Sequence, residues 1–263
     1  YSSNFYSHRK LSERCKQLIS YLDDNHVSKK AKDVNNTYNK FISSCYNWIT
    51  NSSLNNLHGL ECFKQVEIII GCTQFIDNIY MTSSPQFITG DYKYHERLGN
   101  KSTTVGKLTP KKPLIIALPF PGVGTIHPNM NKILDECLIK LIPVHIDGAW
   151  LTCAKNINFD FSHPAIKSVG ISLSKGLGLG WNRIGIRLTR PDREDSISIL
   201  NQFEMTNRAL SLIGLHYLNK VPSDYLWTTY ESHYEKVCDD FNLTPTNSIH
   251  IAMKDNIPIG VSP

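Results

Sequence analysis

Three short segments carry residue types whose spacing could do chemistry. In Ser172-Leu173-Ser174-Lys175-Gly176-Leu177-Gly178-Leu179-Gly180-Trp181-Asn182-Arg183-Ile184-Gly185, a lysine ends a β-rich run and lies among small residues. Glycines let a backbone approach a ligand closely. Partial desolvation of an amine there would free a nucleophile for imine formation. The serines and Arg183 suit a phosphate, with arginine giving a bidentate grip. The plain alternative is a flexible glycine-rich loop with a solvated lysine. Gly71-Cys72-Thr73-Gln74 sits between an expected strand and an expected helix. Its glycine permits a tight turn, the helix start offers free N–H groups to an anion, and the Thr73 hydroxyl adds a donor. Many strand-to-helix turns hold Gly and Thr without a ligand. Ile146-Asp147-Gly148-Ala149-Trp150 places a carboxylate at the end of a buried run. Open α/β sheets bind ligands at that end of their strands. Asp147 could face a cationic ring nitrogen or a metal, or simply cap a turn.

These segments need a scaffold, and the hydrophobic pattern supplies one. From residue 64, short β-branched runs alternate with helical stretches. Val66 to Ile70, Gln86 to Thr89, Leu114 to Leu118, Val144 to Ile146, Ile166 to Leu173 and Ile184 to Leu188 read as strands. Thr73 to Tyr80 and Asn131 to Lys140 read as helices between them. Such alternation predicts an α/β layer structure with a largely parallel sheet. Before it, Leu18, Ile19 and Leu22 predict a short amphipathic helix, and spacings of three and four within residues 36–50 predict another. After Glu194 the pattern turns helical: one long helix from about Asp195 to Leu218, and a second to about Phe241 with Ser223 as N-cap. A brief strand, Ser248 to Met253, follows.

Composition bounds the function. The 263 residues are 41% hydrophobic and 19% charged, so a sizeable core is expected rather than disorder. The formal charge of +5 is spread along the chain, without the dense basic stripe of a nucleic-acid groove. No apolar run is long enough for a membrane span. The seven cysteines are widely spaced with no CxxC pair, so no metal site is expected and the thiols read as reduced, in the cytoplasm. Sequons at Asn35, Asn51, Asn100 and Asn242 would fit a secreted chain or chance in an Asn- and Ser-rich sequence. Residues 1–10 are polar and do not read as a signal peptide; a start at Tyr1 fits a processed chain or a piece of a longer one.

The run Ser-x-x-Lys-x-x-Gly-Leu-x-x-x-Arg-Ile-Gly, from Ser172 to Gly185, closely resembles the lysine signature of class I/II aminotransferases. These are pyridoxal-phosphate (PLP) enzymes of fold type I, the aspartate aminotransferase superfamily. The other segments follow in the family's order, and the resemblance covers roughly residues 36–263. It implies an α/β fold with a mixed, mainly parallel sheet in a large domain, the strand near Ile184 to Leu188 running antiparallel. A shortened small α+β domain would accompany it. The large PLP-binding domain is placed at residues 41–190, and the small domain at 1–40 and 191–263, as an incomplete version of the family's. A homodimer is implied.

The resemblance also implies roles. Lys175 would form a Schiff base with the cofactor aldehyde and then move the substrate α-proton. Asp147 would hold the pyridine nitrogen protonated. Ser172 and Arg183 would bind the phosphate, with Gly71, Cys72 and Thr73 completing the cup and Ser174 beside it. Gly90-Asp91-Tyr92-Lys93-Tyr94-His95 resembles the segment that stacks an aromatic ring on the cofactor. Tyr92 takes that position, and His95 that of a histidine behind the pyridine aspartate. Packing alone for Tyr92, and an exposed loop for His95, are the other readings.

The sequence departs from the family in two places near the cofactor. Phe120 stands where an asparagine usually bonds the cofactor's phenolic oxygen, and Trp150 where a tyrosine does. An indole N–H donates but cannot accept a hydrogen bond. The family's arginine for the substrate α-carboxylate lies on a strand that would follow the last strand read here. Arg187 and Arg190 are not assigned to substrate. The expected function is a PLP-dependent aminotransferase acting on an amino acid and a 2-oxo acid. Decarboxylase, lyase or racemase chemistry on the same cofactor, or a non-catalytic binding protein, are the alternatives.

Overall fold

The structure, a computed structural model, describes residues 36–99, 101–190 and 194–261. The helix expected around Leu18 to Leu22 lies outside them. In chain order the elements begin with helix α1 (Thr37–Thr50), strand β1 (Asn56–His58), strand β2 (Gln65–Ile69) and helix α2 (Gly71–Thr82). The single turn α3 (Tyr94–Arg97), strand β3 (Leu114–Ala117), helix α4 (Met130–Ile139) and strand β4 (Val144–Gly148) follow. Next come strands β5 (Asn158–Asp160), β6 (Ile166–Ser172) and β7 (Gly185–Thr189). The last elements are helices α5 (Ser196–Gln202), α6 (Arg208–Lys220) and α7 (Tyr225–Asp240), and strands β8 (Thr244–Pro245), β9 (Ile251–Lys254) and β10 (Ile257–Gly260).

The apolar runs make a five-stranded sheet in the order β2-β7-β6-β4-β3. Strands β3, β4 and β6 pair in parallel, while β7 runs antiparallel to both β6 and β2. The sheet is therefore mixed and mainly parallel, as expected. Parallel strands covered on both faces need continuous apolar sequence. Leu114, Ile115, Ile116 and Ala117 of β3 are all buried, as are Val144, Ile146, Val169, Ile171, Ile186 and Leu188 on its neighbours. Phe41, Cys45, Trp48 and Ile49 of α1 share this core with Ile213, Tyr217 and Leu218 of α6. A separate small cluster joins Cys153 to Trp227, Tyr234, Cys238, Ile249 and Ala252 near the C-terminal three-stranded sheet.

Several expectations are corrected. Gln86 to Thr89 is not a strand: it makes only isolated parallel bridges, Gln86 to Leu114 and Ile88 to Thr103. The helix expected over Asp195 to Leu218 is two helices. Glu204 adopts φ 51°, and the Asn207 side chain accepts from Leu210 N–H at 3.0 Å, starting a new helix. An asparagine cap competes with helix continuation, which is why α6 restarts there. Ser223 is not the cap of α7. The N-cap is Asp224, and its carboxylate takes the hydroxyls of Ser52 and Ser53 instead. The strand expected from Ser248 begins at Ile251. Helix α2 begins at Gly71, two residues earlier than expected, which puts Cys72 and Thr73 in its first turn.

Candidate active site

The C-terminal ends of β4 and β6, two interior strands, meet the N-terminus of α2 at one end of the sheet. Gly71 opens α2 with φ 68°, a conformation that L side chains rarely adopt. A methyl group there would stand 3.1 Å from Ser172 Oγ and 3.2 Å from Arg183 Nη2. Three parts of the chain thus converge on a space that only glycine leaves open. Arg183 Nη2 donates to Thr73 Oγ1 at 2.6 Å. Ser172 Oγ donates to Ser174 Oγ at 3.0 Å and accepts from Ser174 N–H at 3.2 Å. Hydroxyls, a guanidinium and a helix N-terminus make a donor set suited to a phosphate.

Asp147 stands near the end of β4 and is buried. It accepts Ala149 N–H at 3.0 Å and the Cys72 thiol. Burial pushes its pKa up to about 6, against the opposing pull of Cys72, Ala149, Lys175 and Arg183. The same burial, with Asp147's charge, raises the Cys72 thiol well above its ordinary value. Cys72 is therefore a neutral donor to Asp147. Lys175 follows β6, its Nζ 5.3 Å from the centre of the Trp150 ring. That contact is of cation–π type. His250, just before β9, packs its ring 5.3 Å from that of Trp150 and nearly perpendicular to it.

Tyr92 is 40% exposed, with one face stacked on Tyr94 at 5.8 Å. The Tyr94 hydroxyl donates to Asp77 at 2.7 Å, which pushes its pKa up to about 12, while the charge of Arg183 acts in the opposite direction. The ring-bearing loop therefore lies within electrostatic reach of the phosphate-type donors. His95 is not in an exposed loop: it is fully buried. Its Nδ1 shares a 3.1 Å hydrogen bond with the Tyr80 hydroxyl, and its Nε2 has no partner. Burial lowers its pKa to about 4, so the ring is neutral. Its bond goes to Tyr80, whereas Asp147 takes the Cys72 thiol.

Phe120 is buried, its ring edge-on to His127 at 4.7 Å and against Gly90. It offers no polar atom where the resemblance expects an amide. Arg187 is committed elsewhere, to Glu67 at 2.6 Å and in bidentate fashion to Asp195. Arg190 is held by the carbonyls of Ile166 and Ser162. Three residues near the site carried no role at the level of sequence: Asp91, Tyr94 and His250. Two of them flank Tyr92 in the quoted segment, and an acidic residue beside the expected stacking ring was the available signal. Among the described residues no group of three or more His, Cys, Asp and Glu side chains could hold a metal ion, and no helix is long and apolar enough to cross a membrane.

No family model matches the sequence, and no curated protein matches it significantly. Solved structures match it by shape. The alanine aminotransferase from Pyrococcus furiosus superposes with a TM-score of 0.65 at 14% identity, covering 91% of this chain and 73% of that one. A probable N-succinyldiaminopimelate aminotransferase from Thermus thermophilus gives 0.63 at 14% identity, with coverages of 91% and 74%. The PLP-bound C-S lyase from Staphylococcus hominis gives 0.59 at 10% identity, with coverages of 81% and 65%. The chain has the α/β fold of the fold type I PLP enzymes, the fold of the aspartate aminotransferase superfamily.

Proposed function

We propose that this chain is a PLP-dependent aminotransferase that moves an amino group between an amino acid and a 2-oxo acid. The observation that carries this reading is geometric: Gly71, Ser172 and Arg183 converge on one cradle, with Asp147 buried at the end of β4 and Lys175 just after β6. A buried carboxylate is costly unless a cation or donors face it. The residues fit the cofactor. Gly71 leaves a cradle beside Ser172 and Arg183, and the donors there suit a dianionic phosphate.

When bound, PLP would supply an aldehyde that condenses with amines and a ring that withdraws electrons. Arg183, Ser172, Ser174, Thr73 and the first N–H groups of α2 would hold the phosphate. Asp147 would face the ring nitrogen and keep a proton on it, with Cys72 and Ala149 fixing its carboxylate. Tyr92 would stack its ring on that of the cofactor. His95 would support the loop that carries Tyr92. Lys175 would be the nucleophile for the aldehyde and, once displaced by substrate, the base for the α-proton. Trp150 beside Lys175 would exclude water from that amine. We place the active chain as a homodimer in the cytoplasm.

A second reading has its own observation. Phe120 removes a hydrogen-bonding group at the phenolic side of the cofactor, which favours elimination or decarboxylation on the same scaffold. The test is a panel of amino acids mixed with the PLP-loaded protein and 2-oxoglutarate or pyruvate. Release of the matching 2-oxo acid with formation of glutamate or alanine supports transamination. Ammonia, thiol or carbon dioxide without amino transfer supports the second reading.

A further inference from the structure

Asp91 is a buried carboxylate whose two oxygens each take a backbone N–H. Strand β3 is the last strand of the sheet, and its outer N–H groups are those of Ile115 and Ala117. A backbone carbonyl, that of Gln86, takes Ile115 N–H at 3.0 Å. Asp91 Oδ2 takes Ala117 N–H at 3.1 Å, and its Oδ1 takes the N–H of Tyr92 at 2.6 Å. An amide or hydroxyl oxygen would take one of these donors without burying a charge, whereas a carboxylate takes both. Ala117 lies directly opposite Asp147 in the β3–β4 register, and Leu118 N–H bonds the Asp147 carbonyl at 2.9 Å. Asp91, bonded to the end of β3, thus stands beside the strand that carries Asp147, and no ion pair to Asp91 occurs among the described residues.

We propose that Asp91 is a positioning residue of the cofactor site: it clamps the Tyr92 loop to β3 and adds a second negative charge beside Asp147. This rests on the reading that the site takes PLP, whose ring nitrogen Asp147 would keep protonated, with the charge of Asp91 acting behind Asp147. The titratable groups around Asp91 are few. Asp147 acts on it from β4; Lys175, Arg183 and Cys72 act on Asp147; His95, on the same loop, is neutral. Burial chiefly, and Asp147's charge in addition, push the Asp91 carboxyl up to about 7.

The test has two arms. In the cofactor-free protein, the side-chain carboxyl of Asp91 is followed by NMR against pH, with and without Asp147→Asn. The expected result is a midpoint well above the ordinary aspartate range that falls when Asp147 loses its charge. An ordinary midpoint, or one that Asp147→Asn leaves in place, overturns the proposal without touching the cofactor reading. In the PLP-loaded protein, the pH titration of the bound cofactor's visible absorbance is compared with that of Asp91→Asn, whose amide oxygen keeps one of the two acceptor roles. Losing a negative charge moves the midpoint to lower pH, by about one unit, a tenfold change in proton affinity. Superimposable titrations overturn the role of Asp91 alone. Absence of any cofactor absorbance in the unaltered protein overturns the cofactor reading and this proposal with it. If Asp91→Asn does not fold, Asp91→Ser serves in its place.

Discussion

Arg183 reaches across that end of the sheet to donate to the hydroxyl of Thr73 at 2.6 Å. The bond ties the loop after β6 to the first turn of α2 and points a guanidinium into the space that Gly71 leaves free. Arg183→Gln removes the charge while keeping a polar side chain. It should weaken PLP binding by about tenfold to a hundredfold, the range for hydrogen bonds to charged groups. Equilibrium dialysis measures this directly, and equal affinity in the two proteins contradicts the phosphate role.

Gly71→Ala should damage the same site by a different route. The residue's φ of 68° disfavours any side chain, and the new methyl group would crowd Ser172 and Arg183. A loss of about 1–2 kcal/mol in stability is expected from the backbone alone. Phosphate affinity should fall as well, because the methyl group occupies the cradle. Urea denaturation and PLP titration read the two effects separately.

His95 gives a pH signature to the fold. Its folded pKa, about 4, lies below its ordinary value of 6.5. The unfolded chain therefore binds a proton there before the folded one does. Its contribution to stability is present above about pH 6.5 and is lost as pH falls through about 4. Over that window the loss approaches about 3 kcal/mol. The carboxyls of Asp91 and Asp147 are raised, so their contributions run the other way: present at low pH and lost as pH rises through about 6 to 7. Comparing His95→Phe with the unaltered protein isolates the histidine. The stability difference between them should shift in favour of His95→Phe as pH falls from 6.5 to 4. A difference that does not vary with pH contradicts the assignment.

The buried ion pairs of Arg187 should be strongly coupled. Its Nε donates to Glu67, and its terminal nitrogens hold Asp195, the cap of α5. Burial raises the Glu67 carboxyl despite Arg187, while the bonds to Arg187 and to the start of α5 lower that of Asp195. Glu67→Ala should cost about 3 kcal/mol, since it leaves part of a guanidinium buried without its acceptor. Arg187→Met should cost at least as much. The double variant should lose clearly less than the sum, measured by urea denaturation in a double-mutant cycle. Additive losses would show that the pairs are not coupled.

The strand ends that carry the site were legible because their chemistry sits at boundaries. Asp147 follows a β-branched run, Lys175 follows another, and Gly71 separates a strand from a helix. The local pattern thus puts each at the end of a strand, and the lysine signature supplies the roles. Asp91 was not legible as an active group, because its role depends on a hydrogen bond to a residue 26 positions away on the edge of β3. Spacing alone leaves His95 between an exposed and a supporting role. Its burial comes from the packing of Tyr80, Phe87 and Tyr92 around its ring, which no short-range spacing encodes. The break between α5 and α6 was written locally, in Asn207 ahead of a helical run, but the apolar periodicity on both sides masked it. His250 reaches Trp150 only through the turn of chain before β9, where periodicity says nothing about direction.

The central claim is that Lys175 is the amine that bonds the cofactor. It is tested most directly by loading the protein with PLP, reducing with borohydride and locating the covalent label by peptide mass spectrometry. The account predicts stoichiometric label on the peptide containing Lys175 and none after Lys175→Ala, with the variant still folded. Label scattered over surface lysines, or unchanged in Lys175→Ala, contradicts it.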